Sequence, residues 1–162
     1  MNIAIASHQH TRKINLRRLK KITQELLVEL ELEKAEIGIC LVAAPEMTQL
    51  NETFLKHKGS TDVITFDYHI EGRAGCPQPA VGAMGTSRPT IHGEIFICLD
   101  EAVLQARKFG TSWQSEIVRY IIHGVLHLLG FDDSSTGDRR KMKREENRRL
   151  SEMSRRFPLS KL

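Results

Sequence analysis

Leu16, Leu19, Ile22, Leu26, Leu27 and Leu30 recur with the 3.6-residue period of a helix that buries one stripe, which predicts a helix over about Asn15 to Leu32. Ahead of it, Ile3-Ala4-Ile5 reads as a short strand. Behind it the period falls to two from Ala35 to Val42, placing Ile37, Ile39 and Leu41 on one face of a strand. Pro45 suits the first turn of a short helix running to about Phe54. Two further strands are expected, Thr61 to Tyr68 and Gly93 to Leu99. Between them, turn-forming glycines and prolines predict a flexible loop over 71–91. A helix then runs from Asp100 to about Phe109, and another from about Ser112 to the turn at Gly130. A basic terminal helix and tail occupy 137–162, with Asp100, Thr111 or Ser112, and Ser135 or Thr136 as candidate N-caps. The order of elements predicts an α+β class: one domain over 1–162, with a small mixed β-sheet of about four strands covered by helices.

The size suits this reading, since 162 residues can bury a core without staples. With 40% hydrophobic and 27% charged residues the chain falls in the soluble globular class. No run approaches eighteen apolar residues, and the Met1–Ala6 start is too short for a signal-peptide core. Cys40, Cys76 and Cys98 are odd in number and widely spaced, which fits free thiols in a reducing cytoplasm.

The net charge of +4 is modest but unevenly spread. Between Arg139 and Arg156 nine Lys/Arg residues face three acids, an excess of six. A second basic cluster runs from Arg12 to Lys21. Such runs are commonly solvated helix faces, yet they also attract phosphate backbones by counterion release.

What changes the picture is the helix expected from Ser112. It is apolar nearly all round, through Ile117, Val118, Tyr120, Ile121, Ile122, Val125, Leu126, Leu128 and Leu129, and should be buried. It nevertheless carries His123 and His127, whose four-residue spacing puts both imidazoles on one face about 5–6 Å apart at Cβ. Buried imidazoles need partners, and either ordinary hydrogen bonds or one shared metal ion would supply them. Gly130 can end the helix and let the chain bring Asp133, or alternatively Asp132, back to the histidines. Three protein ligands with a position left open is the pattern of a catalytic zinc site.

These residues, in the run H-G-V-L-H-L-L-G-F-D-D from His123 to Asp133, resemble the signature H-G-x-L-H-L-x-G-Y-D-H of the YbeY family of bacterial endoribonucleases. Thr61-Asp62-Val63-Ile64-Thr65-Phe66 and Gly93-Glu94-Ile95-Phe96-Ile97 match two further family landmarks in the same order. Phe131 stands in place of the signature's tyrosine and Asp133 in place of its last histidine. A carboxylate is an accepted zinc ligand at about 2.0–2.2 Å. Many members also carry an arginine where Phe54 is here followed by Leu55, and Lys56-His57-Lys58 come next.

The resemblance implies a zincin-like fold and a metal-dependent, single-strand-specific endoribonuclease acting in ribosomal RNA maturation and ribosome quality control. His123, His127 and Asp133 would hold one Zn²⁺ and act on RNA through activated water. Lys56, Lys58, Arg139 and Arg140 are candidates for holding the substrate's phosphates. Metallopeptidases place a glutamate directly after the first histidine, where this chain has Gly124. Glu94 and Asp62 are candidates to orient water, or serve only as structural pairs or caps. The competing reading is a non-catalytic assembly factor, stabilised by its metal, that binds ribosomal RNA or proteins of the small ribosomal subunit.

Overall fold

The computed structural model describes residues 1–32, 34–68 and 90–162. Four strands, β1 (Asn2–Ser7), β2 (Lys34–Val42), β3 (Val63–Asp67) and β4 (Thr90–Cys98), form one mixed sheet in the order β1-β2-β4-β3. β1, β2 and β4 run parallel and β3 is antiparallel to β4. The helices are α1 (Leu16–Glu29), α2 (Ala44–Leu50), α3 (Leu99–Phe109), α4 (Trp113–Leu128) and α5 (Thr136–Arg156). The α+β class and the four-stranded mixed sheet agree with the expectation. Of the loop expected over 71–91, residues 90 and 91 belong to β4, and 71–89 lie outside the described residues.

The alternation of each strand divides the sheet's two faces. Ile37, Ile39 and Leu41 from β2 and Ile95 and Ile97 from β4 share one core with α1 and α4. Ile64, Val42 and Cys98 turn to the other face and pack with Met47 of α2. Burial of such apolar area, at about 25 cal/mol per Å², is what docks each amphipathic helix. The tail after α5 is not loose: a 3₁₀ turn at Leu159–Lys161 buries Leu159 and Leu162 in the main core.

Local signals explain most boundaries. Asn15, Ser112 and Ser135 each accept a hydrogen bond from the backbone N–H three residues on, capping α1, α4 and α5. Asp100 does not cap its own helix, which begins one residue earlier at Leu99. Its Oδ2 instead accepts from the N–H of Ala44 at 2.7 Å, the first residue of α2, and its Oδ1 accepts from the Thr11 hydroxyl at 2.6 Å. The Pro45 helix is interrupted at Asn51, where a π-helical turn, Asn51–Leu55, carries the chain to Lys56.

α4 lies close against β4, and Gly124 is the reason it can. A Cβ at this position would stand 2.8 Å from both Cδ1 and Cγ2 of Ile95. The glutamate of a metallopeptidase motif therefore has no room here. Gly124→Ala should be destabilising by about 1 kcal/mol, because overpacking by about 1–3 kcal/mol outweighs the roughly 1 kcal/mol gain in helix propensity. A urea midpoint at or above the parent's would show that Ile95 yields at no cost.

Candidate metal centre

The reversal after α4 builds the site. Gly130 adopts φ 86°, its N–H donates to the carbonyl of His127 at 2.8 Å, and the N–H of Phe131 donates to that of Leu126 at 3.0 Å. This is a Schellman motif, and the left-handed residue at its centre favours glycine. The turn brings Asp133 to the histidines, with its Oδ2 3.9 Å from His127 Nε2. One ligand atom from each of His123, His127 and Asp133 lies within 4.8 Å of the other two, so this group could hold a metal ion. Asp132 is spent on the turn: its carboxylate accepts from the N–H groups of Asp133 and Ser134 and from the Ser134 hydroxyl.

Two hydrogen bonds set the imidazoles. His127 Nδ1 lies 3.0 Å from the carbonyl oxygen of Phe131, which can only accept, so the proton sits on Nδ1 and neutral His127 presents a bare Nε2. His123 Nδ1 lies 2.7 Å from Oε1 of Glu146, and an ionised carboxylate likewise draws the proton to Nδ1. The two Nε2 atoms face each other at 3.0 Å. Two nitrogens bound at 2.0–2.1 Å to a tetrahedral ion are about 3.3 Å apart, so the donor set fits one cation.

Glu146, on α5, is a site residue that the sequence reading does not single out. It is buried, and Arg119 approaches its other oxygen at 3.6 Å. Burial alone would raise its pKa, but the His123 hydrogen bond and charge, with Arg119, bring it below the usual carboxylate range. Burial likewise pulls His123 down, but the Glu146 hydrogen bond and charge, together with Asp133 and Asp62, bring it above its ordinary value. His127 is lowered by burial and by the charge of His123. A signal for Glu146 did exist: Met142, Glu146, Arg149 and Met153 form the buried stripe of an otherwise very polar helix.

A cleft of about 640 Å³ opens beside His123 and Asp133, between α3, α4 and α5. Asp62 lines it, whereas Glu94 does not: Glu94 points to the sheet face away from α4, where the Tyr68 hydroxyl donates to it at 2.8 Å. Arg139 and Arg140 line the cleft with Lys143. Lys56 and Lys58 do not, and the Lys56 ammonium donates to the Thr53 carbonyl at 2.8 Å. The rest of α5's positive charge is largely engaged. Arg149 is buried against Glu29 at 2.6 Å, Arg148 pairs with Glu145, and Arg155 and Arg156 pair with Glu152.

Fold and site together define an α+β protein with an open two-histidine, one-carboxylate group of the kind used by metal-dependent hydrolases. The model of the family Endoribonuclease YbeY matches residues 4–154, and the chain belongs to that family. It is 31% identical to the Endoribonuclease YbeY of Salinibacter ruber, over 89% of this chain and 87% of that one. It is 33% identical to that of Aquifex aeolicus, over 88% and 87% of the two chains. The solution structure of TM1509 from Thermotoga maritima shares the fold, with a TM-score of 0.63 at 24% identity, covering 93% of this chain and 88% of that one.

Proposed function

We propose that this chain is a zinc-dependent endoribonuclease that hydrolyses single-stranded RNA in ribosomal RNA maturation and ribosome quality control, with His123, His127 and Asp133 as the ligands. The observation that carries the reading is the pair of imidazoles whose Nδ1 atoms are held by Glu146 and by the Phe131 carbonyl, leaving both Nε2 atoms turned to one point beside a carboxylate. A bound Zn²⁺ supplies Lewis acidity towards a phosphodiester and can bring the pKa of water to about 7. The protein's part is to place the substrate and manage protons. Asp62 Oδ1 accepts from the Val63 N–H and the Thr61 hydroxyl, while Oδ2 has no hydrogen bond among the described residues. We assign Asp62 Oδ2 the proton released by the attacking water. Arg139, Arg140 and Lys143 neutralise the flanking phosphates.

Family membership supports RNA as the partner, and a ribosomal target is the finer part of the proposal. Among the described residues no helix is long and apolar enough to cross a membrane, and Cys40 and Cys98 are free thiols, which supports a reducing cytoplasm. The test is cleavage of single-stranded RNA by zinc-loaded protein beside a His123→Ala control. Cleavage above the control is expected. Equal, background cleavage by both would leave a metal-stabilised ribosome assembly factor as the function.

Reversing the charge of Arg139, Arg140, Lys143 and Arg144 should weaken RNA binding by a similar factor across sequences. The salt dependence should flatten, by about 0.7 in slope for each phosphate of a single strand that these side chains no longer neutralise. Metal content should stay at the parent's level. Unchanged affinity and slope would reduce the start of α5 to a solvated face.

A further inference from the structure

The cleft beside the proposed ligands has an exposed aromatic ring that neither metal binding nor attraction to a phosphate backbone uses. Phe109, the last residue of α3, is 64% exposed and lines the cleft. An aromatic ring is among the larger apolar groups a fold can bury, and one left in water at a cleft is available to a ligand. The ammonium of Lys108 stands 5.3 Å from its centroid. Arg140 and Lys143 bring positive charge from α5, and neither has a hydrogen bond or ion pair among the described residues. An exposed ring beside two cations that make no hydrogen bond or ion pair among the described residues is the complement of a nucleotide's π-face and phosphate.

We infer that this cleft is a nucleotide subsite: the base next to the scissile phosphate stacks on Phe109, and the adjoining phosphate lies on Arg140 and Lys143. The inference rests on the reading of His123, His127 and Asp133 as a hydrolytic centre for RNA. His123 and Asp133 form part of the same cleft wall, so a strand with its scissile phosphate at the ligands has its neighbouring nucleotide within this space. The volume of about 640 Å³ lies within the roughly 300–1,000 Å³ of small-ligand sites. Every base has a π-face, so the subsite takes any nucleotide. A duplex keeps its bases stacked on one another and cannot offer one to Phe109, which gives a preference for single strands a structural origin.

The experiment is rapid mixing of zinc-loaded protein with a short single-stranded RNA carrying 2-aminopurine, reading fluorescence before cleavage. Stacking on Phe109 should quench the probe. Phe109→Ala should lose the quench and bind about tenfold more weakly, while Phe109→Tyr restores both. Leu104→Ala, on the same helix and exposed outside the cleft, should behave as the parent. No quench in the parent, or a parent-like quench in Phe109→Ala, overturns the subsite. RNA cleavage is scored separately on the same samples. Cleavage without Phe109 dependence removes the subsite and keeps the hydrolase, whereas a Phe109-dependent quench without cleavage removes the hydrolase, and with it a subsite beside a scissile phosphate, and leaves Phe109 as an RNA-stacking surface only.

Discussion

Asp133→Ala is expected to weaken metal binding as strongly as loss of either histidine, by about 10²–10³-fold. The scale follows from apparent zinc affinities of about 10–16 kcal/mol over four ligands, so that one ligand accounts for roughly 2.5–4 kcal/mol. Asp133 is the right residue to test because its Oδ2 is 3.9 Å from His127 Nε2, while the neighbouring Asp132 is held by three hydrogen bonds to Asp133 and Ser134. Asp133→His should keep the metal and tighten it, since it supplies the nitrogen donor found in the family signature and reaches further than aspartate. Competition with a chromophoric chelator, together with elemental analysis, measures both variants. Metal content in Asp133→Ala equal to the parent's would remove Asp133 from the ligand set and make Asp132 the next candidate.

Glu146→Ala should lower metal affinity about 10–100-fold, although Glu146 is not itself in the ligand group. Its carboxylate fixes the His123 tautomer through the 2.7 Å bond to Nδ1 and makes the imidazole a stronger donor at Nε2. Glu146→Gln should fall between the parent and the alanine variant, because its amide oxygen still accepts from Nδ1 but carries no charge. A purely structural role would lower the melting temperature of the metal-free protein and leave the Kd of the folded protein unchanged. That outcome, with parent-like affinity in both variants, would sink the positioning role. Arg119 keeps a hydrogen bond to Asn147 Oδ1 at 2.7 Å, so it is not stranded by the change.

Much of the fold was legible in the sequence because it depends on local geometry. The period of two in β2, the 3.6 period of α1, the caps narrowed to Thr111 or Ser112 and to Ser135 or Thr136, and the left-handed turn at Gly130 each follow from backbone constraints spanning a few residues. The H-x-x-x-H pair belongs with them, since helical pitch alone sets its two rings side by side.

Relations across elements were decided by the tertiary structure. Glu146 lies 23 residues from His123, and they meet only because α5 docks its narrow buried stripe against α4. Asp62 and Glu94 looked alike as candidates, but the register of β4 turns Glu94 away from α4, while Asp62 enters the cleft. Asp100 had the sequence context of a cap for its own helix and caps α2 instead, because the chain before α2 passes within hydrogen-bonding reach of its carboxylate. The basic run from Arg139 to Arg156 reads as one patch, yet Arg149 is buried against Glu29, and Arg139, Arg140 and Lys143 reach the cleft. A helical period tells which residues share a face. What that face meets depends on how distant parts of the chain pack together to remove apolar surface from water, and no short stretch of sequence carries that information.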